Sequence, residues 1–140
     1  MMQIIFKVIG DPRGKGRPRF SRLGKFTKVY TDKQTIDYET TIGISASQAM
    51  GSSKALETPV AVFLYIRLPV PQSYSKKRSE ACLSGSEHPT KKPDIDNVAK
   101  TFLDAMNKII YKDDTQVTQL HVNKVYALES GVDVMIKEIE

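Results

Sequence analysis

Residues 91–114, KKPDIDNVAKTFLDAMNKIIYKDD, hold the chain's densest set of groups able to do chemistry. Asp94 and Asp96 flank Ile95 directly after Pro93, which places both carboxylates at or just inside a helix N-terminus. One of them can cap the helix, but two crowd. Carboxylates about 5 Å apart repel by about 3 kcal/mol at an effective dielectric of about 20, so a pair held together calls for a cation or a shared proton. Asp113 and Asp114 arrive in the turn after the helix. A third carboxylate reaches the same point if the following strand starts beside the helix N-terminus. Oxygen-only ligands, with no His or Cys in the stretch, suit Mg²⁺ or Mn²⁺. A purely local reading competes, because Asp is common at N-caps and in turns for its own hydrogen bonds.

Lys100 lies four residues after Asp96 and so stands on the same helix face one turn along. An ammonium there can stabilise charge developing on a phosphate or orient an attacking water. It can equally be half of a surface ion pair contributing a few tenths of a kcal/mol. Asp104 continues that face and reads as a solvated residue. Other chemistries fail on spacing. An EF-hand beginning at Asp94 needs Gly and Glu where Ala99 and Ala105 stand. GDPRGKGRP lacks the Gly-Lys-Ser/Thr ending of a phosphate-binding loop, and no G-x-S-x-G elbow occurs. His88 falls in a Pro-flanked loop and His121 inside a strand, where both read as structural or exposed.

The elements that must position these groups follow from hydrophobic periodicity. Ile4, Phe6 and Val8 alternate in a first strand that ends at Gly10. The basic stretch GDPRGKGRPRFSRLGKF reads as a loop. Thr31 or Asp32 can cap a helix carrying Ile36, Tyr38, Ile42 and Ala46 that ends near Gly51. Residues 60–68 form a strand apolar on both faces and therefore central. Residues 69–93 read as a long exposed loop. A second helix runs from Asp94 to about Lys108, with Val98, Phe102, Ala105 and Ile109 on one side. A strand from Val117 to Leu128 and a hairpin turn at Glu129, Ser130 and Gly131 lead into a last strand. The order β-α-β-α-β-β predicts an α+β fold, a mixed sheet of about four strands with two main helices packed on it.

The chain has 140 residues and 40% hydrophobic residues, the arithmetic of a single globular domain over 1–140. At that size folding buries roughly 68% of the unfolded chain's surface, without staples. The one cysteine, Cys82, reads as an ordinary thiol in a loop and fits a reducing compartment. MMQIIFKVIG is too short an apolar run for a signal peptide, and nowhere do about 18 apolar residues follow one another, so a cytoplasmic protein is the expectation. The net charge is +5, yet Arg13, Lys15, Arg17, Arg19, Arg22, Lys25 and Lys28 face the single acid Asp11 between residues 11 and 31. That stretch carries +6 and the remainder −1. Such a segment is a candidate polyanion-binding arm, because each phosphate it neutralises releases counterions. A solvated loop is the alternative.

These residues also carry a resemblance. Lys92-Pro93-Asp94-Ile95-Asp96-Asn97-Val98-Ala99-Lys100, Leu103-Asp104-Ala105 and Tyr111-Lys112-Asp113-Asp114-Thr115-Gln116-Val117, with Lys124 and Tyr126 beyond, resemble the RusA family of Holliday-junction resolvases. The run Gly14 to Phe20 is similar to the basic N-terminal loop of that family's Gram-positive and phage branch. The resemblance implies a RusA-like fold and a homodimeric, Mg²⁺-dependent endonuclease that binds four-way junction DNA and nicks two strands symmetrically in recombination and repair. It implies that Asp94, Asp96 and Asp114 bind metal and that Lys100 is catalytic, with no membrane and no small-molecule cofactor. Asp113 adjoins the set. DNA contacts by Arg13, Lys15, Arg17, Arg19, Arg22, Lys91 and Lys92 rest on charge, since the family's other branch lacks such a run. Two alternatives remain: a non-catalytic junction-binding protein, and a PD-(D/E)xK nuclease. The latter needs an acid two residues before a lysine, and every lysine after Asp94 lacks one.

Overall fold

The computed structural model describes every residue except Met1, Arg17, Pro18 and Lys25, and the side chains of Arg19 and Leu23 also lie outside the description. Strand β1 spans Gln3–Ile9, β2 Arg19–Leu23 and β3 Phe26–Tyr30. Helix α1 spans Lys33–Met50, and β4 runs over Val60–Pro69. Helices α2 (Lys76–Ser84) and α3 (Ile95–Met106) follow, and a single 3₁₀ turn at Asp114–Gln116 leads into β5 (Val117–Ala127) and β6 (Gly131–Glu138). The α+β class and the four-stranded mixed sheet stand as expected.

The sheet order is β1-β6-β4-β5. β6 lies antiparallel to both β1 and β4, while β5 runs parallel to β4. The expected hairpin between the last two strands is therefore corrected. Those strands never pair, and the chain crosses over the end of β4 to insert β6 in the middle of the sheet. Arg67 near the end of β4 holds that crossover, donating to the Glu129 carbonyl at 2.6 Å and pairing with Asp133 at 3.1 Å. The turn chemistry of Glu129, Ser130 and Gly131 suits a two-strand hairpin equally well, so the sequence alone does not separate the two.

Three further readings change. The basic loop contains the β2-β3 hairpin, which pairs with no other strand among the described residues. Its few alternating positions are hidden by charge, and Phe20 and Phe26 are 70% and 79% exposed. The long 69–93 loop contains α2, capped by the Ser75 hydroxyl and ended by Gly85 in the left-handed region at φ 87°. Cys82 sits in that helix and is buried, not in a loop, and burial pushes its thiol pKa up. Ile36, finally, is exposed and not on the buried stripe of α1.

The core forms where the predicted stripes meet. Asp32 caps α1 by accepting from the Thr35 amide, and Tyr38, Ile42, Ala46 and Met50 face inward. They meet Val98, Phe102 and Met106 of α3 and the inward side of the sheet, Ile4, Phe6, Val62, Leu64, Val134 and Ile136 among them. Tyr38 meets Phe102 edge to face at 5.8 Å. Phe102 is fully buried, and Phe102→Ala is expected to cost about 3–5 kcal/mol through lost burial and a residual cavity. Urea unfolding checks this; a cost below about 1 kcal/mol would mean α3 does not pack as described.

Candidate metal centre

Asp94 is the N-cap residue of α3, but its carboxylate makes no capping hydrogen bond, and only its carbonyl is used, accepting from the Val98 amide at 3.1 Å. A capping residue whose side chain does not cap leaves a charge at the positive end of a helix free for other use. Asp96 sits in the first turn, exposed, with Oδ1 accepting from the Asn97 amide at 3.0 Å. The start of α3 is held from below. Lys124 on β5 donates to the carbonyls of Lys91 at 2.8 Å and Pro93 at 3.1 Å, the residue directly before Asp94. Lys124→Met strands both carbonyls, and it is expected to lower stability by about 1–3 kcal/mol and to cut any metal-dependent cleavage by more than that stability loss explains. Thermal melts and cleavage rates measured side by side check this.

The second acidic group is fixed from the other side. Asp113 caps the 3₁₀ turn, accepting from the Thr115 amide while Gln116 accepts from the Asp113 amide at 2.9 Å. The Gln116 amide nitrogen then donates to the Leu56 and Thr58 carbonyls at 2.8 and 2.9 Å, which pins the turn to the segment before β4. Asp113 beside it, then burial, then the charges of Asp113 and Asp104 push the Asp114 carboxyl above its ordinary value, while Lys100 opposes them. The Asp113 carboxyl is held low, chiefly by the Thr115 amide and then by Asp114. Asp114 thus senses the charges of Asp104 and Lys100 on α3.

Lys100 is exposed, with Nζ 3.9 Å from Asp104 rather than engaged with Asp96. Asp104, read as a solvated residue, proves to be a bridge. Lys15 reaches it at 2.5 Å and Glu39 at 3.2 Å. Burial alone would lower the Lys15 pKa, but hydrogen bonds to Asp104 and Glu39 and their charges outweigh it and hold it raised. Lys15 therefore ties the basic loop to both helices. The same loop donates from the Lys15 amide to the Asn97 carbonyl at 3.4 Å and from the Gly16 amide to Thr35 Oγ1 at 3.0 Å. A side chain at Gly14 would stand 2.9 Å from Asn97 Cβ, so glycine permits this approach. These contacts were invisible to spacing, although Asn97 and Lys124 stood within the stretches that carry the resemblance.

Between loop and helix lies a cleft of about 390 Å³ lined by Gly14, Lys15, Lys92, Pro93, Asp94 and Asn97. The other basic candidates are spread around it. Arg13 donates to Gln34 at 3.1 Å, Arg22 is exposed on β2, and Arg19 belongs to the same strand. Arg17 lies outside the described residues. Lys91 and Lys92 are exposed, Lys91 with Nζ 5.8 Å from the Tyr74 ring centre.

Among the described residues, no three carboxylate, imidazole or thiolate groups stand already gathered around one point. The donors themselves nevertheless fit a hard divalent ion. Asp94, Asp96 and Asp114 offer oxygen only, the Asp94 carboxylate makes no capping hydrogen bond and has no partner among the described residues, and Asp114 is pushed towards holding a proton that a cation would replace.

The family model "Endodeoxyribonuclease RusA" matches residues 10–137. The Bacillus subtilis (strain 168) protein YqaN, described as uncharacterized, is 37% identical over 138 residues, which cover 97% of this chain and 96% of that one. With its acid-lysine group at the start of α3 and its match spanning nearly the whole length, the chain belongs to the RusA endodeoxyribonuclease family.

Proposed function

We propose that the protein is a homodimeric, Mg²⁺-dependent endonuclease that resolves four-way DNA junctions by paired symmetric nicks, acting in recombination and repair. The observation that carries this reading is the meeting of family membership with an unengaged Asp94, Asp96 one turn before Lys100, and an Asp114 that senses α3. Asp94, Asp96 and Asp114 hold the ion. An ion held there would supply polarisation of the scissile phosphodiester and a lowered pKa for an attacking water.

The protein's own residues do the rest. Lys100 places a positive charge where negative charge accumulates on the phosphate. Arg13, Arg22, Lys91 and Lys92, with Arg17 and Arg19 of the same basic stretch, supply the field that brings DNA to an otherwise acidic centre. Lys15 contributes by anchoring that stretch to Asp104 and Glu39. Exposed Phe20 and Phe26 on the hairpin add aromatic faces to a basic arm. Hydrolysis leaves a 5′-phosphate and a 3′-hydroxyl.

The test is cleavage of a synthetic labelled four-way junction against a linear duplex of the same sequence, with and without Mg²⁺. Paired symmetric nicks in the junction alone, and only with metal, are expected. Tight binding without nicks under Mg²⁺ or Mn²⁺ would leave a non-catalytic DNA-binding protein.

A further inference from the structure

Two ammonium groups compete for one oxygen of Asp104. Lys15 Nζ stands 2.5 Å from Oδ2, and Lys100 Nζ stands 3.9 Å from the same atom. Lys15 arrives from outside α3. Its amide donates to the Asn97 carbonyl at 3.4 Å, the next amide donates to Thr35 Oγ1 at 3.0 Å, and its ammonium also meets Glu39 at 3.2 Å. These attachments to α1 and α3 deliver the Lys15 charge whether or not Asp104 bears one. Gly16 fixes the approach, since a Cβ there would stand 2.8 Å from Thr35 Oγ1 and closer still to Asp32 Oδ1.

Lys100 reaches Asp104 from one turn away on the same helix. Closing 3.9 Å to the length of a charge-assisted hydrogen bond, about 2.8 Å, takes about 1 Å of movement at the end of a flexible four-carbon stem and no change in the backbone. With Lys15 in place that closure gains little, because Asp104 already has its cation and a lysine placed before an aspartate on a helix makes the weaker order of pair. Without Lys15 the balance reverses. Asp104 and Glu39, whose side chains are only 27% and 26% exposed, are left as like charges around the vacated position, and Lys100 is the next ammonium at hand among the described residues.

We propose that Lys15 is a positioning residue for Lys100: by occupying Asp104 it keeps the Lys100 ammonium free to face the phosphate, so the site is armed only while the basic stretch is seated on α1 and α3. The role given to Lys100 rests on the resolvase reading. In this role Lys15 acts through Asp104 and not by touching DNA. Asp104 and Lys100 also act on Asp114 with opposite sign, so the lysine that Asp104 would capture is one whose charge reaches the acidic centre. The stretch that gathers DNA and the lysine that acts on the phosphate thereby share one carboxylate, and unseating the first disarms the second.

Two measurements on the full chain test this, using wild type, Lys15→Met, Lys15→Gln, Lys15→Arg and the double variant Lys15→Met with Asp104→Asn, each with its melting temperature. The first needs neither DNA nor metal: limited acetylation by acetic anhydride, with Lys100 read by peptide mass spectrometry against Lys54, which is exposed. Lys15→Met and Lys15→Gln should slow Lys100 labelling at least about threefold, because an ammonium paired with a carboxylate gives up its proton less readily. The double variant should restore it. The second is junction cleavage under Mg²⁺. Lys15→Met is expected to lower kcat about 10–30-fold and to raise KM, and adding Asp104→Asn should recover kcat but not KM. Lys15→Arg, which can still occupy Asp104, should recover most of kcat.

A residue that only anchors the loop would raise KM, leave Lys100 labelling unchanged and gain nothing from Asp104→Asn, and that result overturns the proposal. So does a double variant whose kcat is no better than that of Lys15→Met. If Lys100 labelling responds as expected while the wild type cuts no junction, the competition for Asp104 stands and the resolvase reading falls.

Discussion

Asp96→Asn is expected to reduce junction cleavage by on the order of 10³-fold or more, about 4 kcal/mol of transition-state stabilisation, while junction binding is kept or tightened. The side chain is exposed in the first turn of α3, and its one hydrogen bond is accepted from the neighbouring Asn97 amide at 3.0 Å. Asparagine keeps an oxygen that can accept that bond. The substitution removes one charge from the positive end of a helix, which costs at most about 1 kcal/mol in stability at an exposed site. Folding is therefore nearly unchanged, and the loss falls on the proposed metal ligand. Binding moves the other way because a carboxylate facing phosphates repels them when no cation lies between. Single-turnover cleavage and a binding titration on the same labelled junction check both halves. Cleavage within tenfold of wild type would show that Asp96 is not a ligand.

The parts of the fold that were legible are those where burial repeats with a fixed period. Ile4, Phe6 and Val8 in β1, Tyr38, Ile42 and Ala46 in α1, and Val98 with Phe102 in α3 all turned inward, because each is spaced to fall on one face of its element. What was not legible lacks such a period or depends on pairing. Alternation marks a strand but not its neighbour, so β6 inserting between β1 and β4 left no local trace. Arg67, which holds the crossover, looked like any polar residue in a strand. Among the described side chains the β2-β3 hairpin buries nothing and α2 only Cys82, and an element with no buried stripe is indistinguishable from a loop when read by hydrophobicity.

The site divides along the same line. What depends on neighbours in sequence was legible, namely Asp94 and Asp96 at the start of a helix, Asp96 one turn from Lys100, and the adjacent Asp113 and Asp114 in the turn that follows, while the Asp94 carboxylate's lack of a capping bond was not. Contacts across the fold were not. Lys15 was read only as a cation for DNA, yet two carboxylates from different helices hold it, and Asp104 gains a role that its solvated position on a wheel did not suggest. A charged residue's partner is set by tertiary approach, and 89 residues of chain separate Lys15 from Asp104.

Lys100→Met is the sharper test of the catalytic assignment, because little else depends on this side chain. Its side chain is 64% exposed and its ammonium lies 3.9 Å from Asp104, a distance and exposure at which an ion pair contributes little to stability. Asp104 keeps Lys15 at 2.5 Å, so removing Lys100 leaves no buried charge unpaired. Methionine preserves most of the aliphatic stem and the helix propensity. The expected result is an unchanged melting temperature with cleavage lowered about 10²–10³-fold, the size of effect seen when one preorganised donor to a developing oxyanion is removed. The loss should fall in kcat with KM nearly constant, since a charge that matters only as the phosphate gains negative charge contributes little in the ground state. Lys100→Arg should recover part of the rate by restoring the charge at a different reach. If Lys100→Met instead raised KM and left kcat alone, Lys100 would be one more member of the basic surface that gathers DNA. The acidic centre would then act without a cationic partner on α3.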